Sequence, residues 1–238
     1  MKILVISDLH TCDNRFSRDY EQTRLRRLAE VIRSCGAGMV LNLGDTVSRK
    51  ELLRPDIACE ADGYRKYMQW RSQFDIPFVE CAVAREFSFF AEIVGQEPDS
   101  FREVDEYMSI ITIAPQEAFD HRLTGEQLSF LTECISGCRT PNLLIASHVP
   151  YPGSCSREIE PGIFLEIPEN LRKLVEESER KVLWGGGHFH WPPEPVRQFG
   201  SLTAFYGGRF ASSGKAGYLR MIDSVTAQVE MLLPAFEW

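Results

Sequence analysis

The sequence predicts an α/β protein with a largely buried, mixed sheet system, organised as a single domain over residues 1–238. Short apolar, β-branched runs alternate with amphipathic segments for most of the chain, which is typical of strands alternating with helices. The last stretch instead places short apolar runs between Gly/Ser turns, which indicates antiparallel hairpins that close the sheet. Hydrophobic residues make up 44% and charged residues 25% of the 238 residues, as in ordinary globular proteins.

The first third of the chain carries three predicted strands and two predicted helices. Ile3–Ser7 and Met39–Leu43 are short apolar runs that predict buried strands. Between them, Tyr20–Cys35 has apolar residues at helical spacing and is followed by a glycine, a common helix stop. A second helix is predicted over Ala61–Phe74, and a third strand over Ile76–Val83.

The rest of the chain continues the alternation and then changes to strands alone. Thr124 and Gln127 have the spacing of a capping box, which predicts that a helix starts there. The residues from 86 to 106 form no readable pattern, and we expect them to cap the cleft. The other predicted elements are a charged, exposed helix at Glu169–Glu179 and strands at Met108–Ile113, Asn142–Ser147, Lys181–Trp184, Leu202–Tyr206, Gly217–Ile222 and Gln228–Leu233.

Charge and cysteine content restrict the partners and the compartment. The net charge of −8 disfavours binding to duplex DNA or to an anionic membrane, so nucleic acid is not the expected partner. No stretch approaches the ~20 apolar residues of a membrane span, and the N-terminal apolar run is too short for a signal peptide. Seven cysteines, an odd number, predict reduced thiols in the cytoplasm. The sequence leaves the oligomeric state open.

Residues that commonly bind metals follow the ends of the predicted strands. Asp8 and His10 follow the first strand, and Asp45 follows the second. Three of the other four histidines follow two later strands, at His148, His188 and His190. Ligands bind at this edge of an α/β sheet because several loops converge there. Carboxylates and imidazoles without nearby thiolates suit Mn, Fe or Zn in an open site. The remaining histidine, His121, lies outside these groups and is expected to be a loop residue near the start of a helix.

These ordered groups resemble the motifs of the calcineurin-like metallophosphoesterases. The matching segments are Asp8-Leu9-His10, Gly44-Asp45, Ser147-His148-Val149-Pro150, Gly187-His188-Phe189-His190 and, as in phosphodiesterase-type members, the helix Leu123–Leu131. The resemblance spans residue 3 to about 210 and implies two mixed β-sheets in a sandwich flanked by helices, the four-layer metallo-dependent phosphatase-like fold. It implies two divalent ions, one held by Asp8, His10, Asp45 and His190. Asp45 would bridge to the second ion, held also by His148 and His188.

One motif of this family is altered. Where the family has Gly-Asn-His-Asp/Glu after the third strand, this chain has Val83-Ala84-Arg85-Glu86. Ala84 has no donor atom for a metal, so the second site is expected to be weakened. Arg85 cannot shuttle a proton as histidine does, because it is permanently charged and has no acceptor. It is either a clamp for phosphate oxygens or a surface residue left by decay of the motif.

The resemblance implies a metal-dependent phosphoesterase that hydrolyses a phosphodiester or a small phosphomonoester by attack of a metal-bound hydroxide. Its activity is expected to be reduced, because general acid catalysis typically contributes 10²–10⁴-fold. The altered motif also permits a second interpretation: a catalytically degenerate relative that binds a metal or another ligand. A nuclease is a third, disfavoured by the net charge and by the lack of a basic stripe interleaved with aromatic residues.

Overall fold

The structure is a computed structural model, and its strands and helices follow the predicted alternation closely. It describes residues 1–84, 89–115, 121–156, 164–191, 194–208, 210 and 218–232. Within these residues, the strands are β1 (Lys2–Ile6), β2 (Met39–Asn42), β3 (Phe78–Glu80), β4 (Ser100–Glu103), β5 (Met108–Ile113), β6 (Asn142–Ser147), β7 (Lys181–Gly186), β8 (Arg197–Phe199), β9 (Leu202–Tyr206), β10 (Leu219–Asp223) and β11 (Val229–Leu232). The helices are α1 (Arg18–Ser34), α2 (Glu60–Arg71), α3 (Phe89–Val94), α4 (Gly125–Gly137) and α5 (Glu169–Glu176), with a short 3-10 turn at Lys50–Leu52.

The strands form two mixed sheets. The first has the order β11-β10-β1-β2-β3, and the second has the order β4-β5-β6-β7-β9-β8. In the first sheet β1, β2 and β3 are parallel, while β10 runs antiparallel to β1 and to β11. In the second sheet β5, β6, β7 and β9 are parallel, and the edge strands β4 and β8 are antiparallel to their neighbours. The predicted hairpins therefore exist, but they close two different sheets, and β9 itself is parallel to β7.

The two sheets face each other across a shared apolar core, and helices cover their outer faces. Side chains such as Val5 and Leu41 from the first sheet meet Leu144 and Leu183 from the second in one buried cluster. Helices α1 and α2 pack on the outer face of the first sheet. Helices α4 and α5 pack on the outer face of the second. The result is the α/β protein that the sequence predicts, arranged as the four-layer sandwich that the family resemblance implies.

Several local predictions differ from the structure. Helix α5 is charged but not simply exposed, because Leu171 and Val175 are buried against the second sheet. Strand β3 is shorter than the predicted run, and β7 continues to Gly186 beyond the predicted end. Residues 86–106, which show no clear pattern in the sequence, contain α3 and the edge strand β4. In β4, half-buried and exposed residues alternate.

The described residues contain neither a membrane-spanning helix nor a disulfide. Among the described residues, no helix combines the length and the apolarity needed to cross a bilayer. All seven cysteines belong to the described part of the chain, and none forms a disulfide.

Candidate metal centre

Four of the six predicted metal-binding side chains lie together at the ends of the strands. Asp8, His10, Asp45 and His190 each offer one donor atom, and these atoms all lie within 4.8 Å of one another. Nε2 of His10 lies 3.0 Å from Nε2 of His190. Two nitrogens bound to one ion at about 2.1 Å and at right angles would be about 3.0 Å apart. The spacing of these two imidazoles therefore fits a shared ion.

Parallel pairing continues past the ends of β1 and β2 and brings their loops together. The backbone N–H of Asp8 donates to the Gly44 carbonyl at 3.0 Å, and that of His10 donates to the Asp45 carbonyl at 2.9 Å. These two hydrogen bonds fix the first aspartate and histidine directly beside the second aspartate. Nε2 of His10 consequently lies 3.6 Å from Oδ2 of Asp45.

The backbone at the site adopts an unusual conformation. Six non-glycine residues of the described chain have positive φ angles, and four of them belong to the predicted metal-binding set: Asp8 (54°), His10 (44°), Asp45 (48°) and His188 (67°). The left-handed region costs an L-residue roughly 1–2 kcal/mol. Such conformations cluster at functional sites, where the surrounding structure over-determines them. Four of them at this edge of the sheets therefore mark it as a candidate functional site.

The carboxylate of Asp8 has an oxygen that suits a cation. Asp8 is fully buried, and the Ser7 hydroxyl donates to its Oδ2. Its Oδ1 is buried and accepts no hydrogen bond among the described residues. Nε2 of His190 lies 3.3 Å from this Oδ1, outside hydrogen-bond geometry. A buried carboxylate oxygen without a donor is costly unless a cation neutralises it. This oxygen and the set of carboxylate and imidazole donors fit a divalent ion.

Asp45 connects the four-residue cluster to His148. Its Oδ2 lies 3.6 Å from Nε2 of His10 and 3.5 Å from Nε2 of His148, so one carboxylate oxygen faces both imidazoles. Burial opposes ionisation of Asp45, but the neighbouring His148 and His10 overcome it and hold the pKa of the carboxyl well below its usual range. Burial alone would lower the pKa of His148, whereas the charge of Asp45 raises it to about 9.

His148 is oriented by a backbone hydrogen bond. Its Nδ1 lies 2.9 Å from the Leu43 carbonyl oxygen, which can only accept, so Nδ1 carries the proton. The Nε2 atom is thereby presented to Asp45, as expected for a metal-binding histidine whose other nitrogen is hydrogen-bonded. Glycines allow the ring to fit, because a Cβ at Gly44 would lie 2.8 Å from Nδ1, and one at Gly187 would lie 2.9 Å from it.

His188 lies next to His148 but apart from the four-residue cluster. The ring centroids of His148 and His188 are 5.2 Å apart, with the planes nearly perpendicular. Burial, followed by the charge of His148, lowers the pKa of His188 to about 4. An imidazole with so low a pKa is neutral at physiological pH, which is the form that binds metals.

The fifth histidine also reaches this region, which the sequence did not predict. His121 lies in the loop before α4, as expected, but its ring centroid is 5.8 Å from that of His188. No spacing signal could have found this contact, because the two residues come from loops far apart in the chain. The altered motif is only partly visible: Ala84 is fully buried, and Arg85 lies outside the described residues.

Two mixed β-sheets flanked by helices, with candidate metal-binding residues at the strand ends, constitute the metallo-dependent phosphatase-like fold. A dimetal phosphatase from Danio rerio shares it, with a TM-score of 0.69, 11% identity and coverage of 92% of each chain. Another solved structure matches with a TM-score of 0.65 at 10% identity, covering 98% of this chain and 99% of that one. A protein described as a "putative 5'-nucleotidase" from Staphylococcus aureus matches at 0.50 and 12% identity, covering 100% of this chain and 54% of its own.

Comparisons based on sequence find no relative. No family model matches the chain, and no curated protein matches it. At identities near 10%, the structural likeness establishes the fold alone. The chemistry of this chain has to be argued from its own residues.

Proposed function

We propose that this chain is a metal-dependent phosphoesterase that hydrolyses a phosphodiester or a small phosphomonoester. The observation that carries the proposal is the convergence of Asp8, His10, Asp45 and His190, with the buried Oδ1 of Asp8 facing the cluster without a hydrogen-bond donor. This donor set stands in a fold that a dimetal phosphatase shares.

The proposed roles follow the resemblance residue by residue. Asp8, His10 and His190 would hold one ion with Asp45, and Asp45 would share its carboxylate with a second ion held by His148 and His188. The position of Asp45 Oδ2 between His10 and His148 supports this sharing. Divalent ions bound there, whether Mn, Fe or Zn, would polarise a phosphoryl oxygen and lower the pKa of a bound water.

The protein residues would position these groups and leave one side open to substrate. Asp8 and His148 are buried, whereas the His190 side chain is 39% exposed. Substrate would therefore approach from the His190 side. The hydrogen bond from His148 Nδ1 to the Leu43 carbonyl would keep that imidazole from rotating as substrate binds. A phosphate ester of modest size is the expected substrate, and Arg85 remains a candidate clamp for its oxygens.

A second candidate function is ligand or metal binding without turnover. The altered motif favours it, because Ala84 supplies no metal donor and Arg85 no transferable proton. The double variant Ala84→Asn with Arg85→His separates the two functions. A large gain in turnover would mean an attenuated enzyme, and no gain would mean a cleft adapted to binding.

The deciding experiment is hydrolysis of bis(p-nitrophenyl) phosphate by metal-stripped protein with and without added Mn²⁺. The Asp45→Ala variant should lose about 10³-fold in turnover, because a metal ion contributes several kcal/mol to stabilisation of the transition state. Asp75→Ala is the matched control, because it removes an exposed aspartate that is not among the candidate metal-binding residues. It should retain wild-type turnover. Metal-dependent turnover that survives in Asp45→Ala would refute the site assignment.

We further propose a reducing compartment, the cytoplasm, on the basis of seven cysteines without a disulfide. Nucleic acid remains an unexpected partner at a net charge of −8. Tight, steeply salt-dependent binding to single-stranded DNA would contradict this part of the proposal.

A further inference from the structure

The proposed second ion lacks one ligand that the family pattern would supply. Asp45, His148 and His188 are its remaining protein ligands, because the asparagine of the pattern is replaced by the buried Ala84. The inference that follows rests on the proposed metal centre.

The backbone of His121 is held in place on the side of the site where His188 lies. The Glu166 backbone N–H donates to the His121 carbonyl at 2.7 Å. Three residues further along, Thr124 caps α4 through a complete capping box with Gln127. The backbone is thus anchored at His121 itself and again at Thr124, and the His121 ring lies in edge-on contact with His188 at an interplanar angle of 75°. Nδ1 of His121 is shielded from solvent.

We propose that His121 is the missing protein ligand of the second ion and replaces the asparagine lost at Ala84. The ring centroids of His121 and His148 lie 5.8 and 5.2 Å from that of His188. Two rings that bind one ion at about 2.1 Å have centroids about 5 Å apart.

The other pair of histidines in the site provides an internal comparison. The rings of His10 and His190, whose Nε2 atoms lie 3.0 Å apart, have centroids 4.9 Å apart and perpendicular planes. The centroid distances from His188 to His121 and to His148 are 5.8 and 5.2 Å, so the proposal requires the His121 ring to move closer when the ion binds.

An imidazole is chemically suited to this substitution. It replaces the neutral amide donor of asparagine with another neutral donor, so the net charge of the site is unchanged. It also suits Mn, Fe and Zn. The replacement gives every histidine of the chain a role at the metal centre.

The test is a titration of metal-stripped protein with Zn²⁺ by calorimetry, with bound metal counted after dialysis. Wild type should bind two ions per chain. His121→Ala should bind one ion with unchanged affinity and the other at least about 100-fold more weakly, since loss of even an outer-shell partner costs 10–100-fold. His121→Phe should behave in the same way, because it keeps the ring contact with His188 but has no nitrogen. Arg122→Ala, whose side chain is 72% exposed, is the control from the same loop and should match wild type.

The outcomes separate ligation from packing. A His121→Phe variant that binds two ions with wild-type affinity would overturn the proposal, as would wild-type protein that binds only one ion. Recovery of the second ion by Ala84→Asn in the His121→Ala background would support it. These titrations do not depend on hydrolysis. Wild type could bind two ions and both His121 variants only one, while none of the proteins hydrolyses the substrate. That result would refute the proposed phosphoesterase activity and support His121 as a metal ligand.

Discussion

A single methyl group at Gly187 should damage the site. It is buried directly after β7, and a Cβ there would contact the Ser7 hydroxyl, the Leu43 carbonyl at 2.8 Å and Nδ1 of His148 at 2.9 Å. Two of these atoms, the Leu43 carbonyl and His148 Nδ1, form the hydrogen bond that orients His148. Gly187→Ala therefore forces apart the loops that follow β1, β2 and β6.

The size of the effect follows from these contacts. Overpacking of a well-packed interior costs typically 1–3 kcal/mol, and a backbone carbonyl cannot move aside cheaply. A loss of about 2 kcal/mol lowers the Tm of a protein this long by about 4–8 °C. Loss of the hydrogen bond that orients His148 should weaken metal affinity about 10–100-fold.

The assay compares Gly187→Ala with Gly125→Ala. A Cβ at Gly125, the first residue of α4, meets no atom within 4 Å, so alanine there should be neutral or stabilise by about 0.5 kcal/mol. Thermal unfolding of the metal-free proteins and a metal titration of each supply the two readouts. If Gly187→Ala has the same Tm and the same metal affinity as wild type, the close approach of these loops does not exist in solution. The geometry of the site described above would then be wrong.

Three further predictions concern the framework around the site. Gln127→Ala should lower the free energy of unfolding by about 1–3 kcal/mol in urea titrations, because its buried side chain donates to the Ala114 carbonyl, whereas exposed Glu133→Ala should change little. Leu144→Ala, in the core between the sheets, should cost about 2–5 kcal/mol; a smaller loss would contradict the four-layer packing. Burial raises the pKa of Glu80 above its ordinary 4.5, so stability should fall as pH rises from that value through the raised pKa. Glu80→Gln should remove this slope, and an unchanged slope would assign it to another group.

Local signals in the sequence predicted most of the fold. The capping box at Thr124 marks the first turn of α4, and the apolar runs at Met108–Ile113 and Asn142–Ser147 coincide with β5 and β6. Edge elements were missed, because β4 buries neither face fully and α3 is only six residues long. The burial of Leu171 in α5 was hidden by the many charges around it.

The site was predictable to the extent that strand ends determine it. Asp8 and Asp45 follow neighbouring parallel strands, so their proximity follows from topology alone. The contact between His121 and His188 depends on how a loop folds back through Glu166, and no periodicity encodes that path. A single domain over residues 1–238 stays a prediction.

The left-handed backbone of four candidate metal-binding residues bears on the stability of this chain. At about 1 kcal/mol each, four such positions sacrifice of the order of 4 kcal/mol, a large share of the 5–15 kcal/mol that usually separates a folded protein from its unfolded state. Glycine would adopt these φ angles at Asp8, His10, Asp45 and His188 without the steric cost, because it has no Cβ. The chain has aspartate or histidine at all four. Glycine at these positions would remove the strain together with the candidate donor atoms, so stability and metal binding make opposite demands on the same residues.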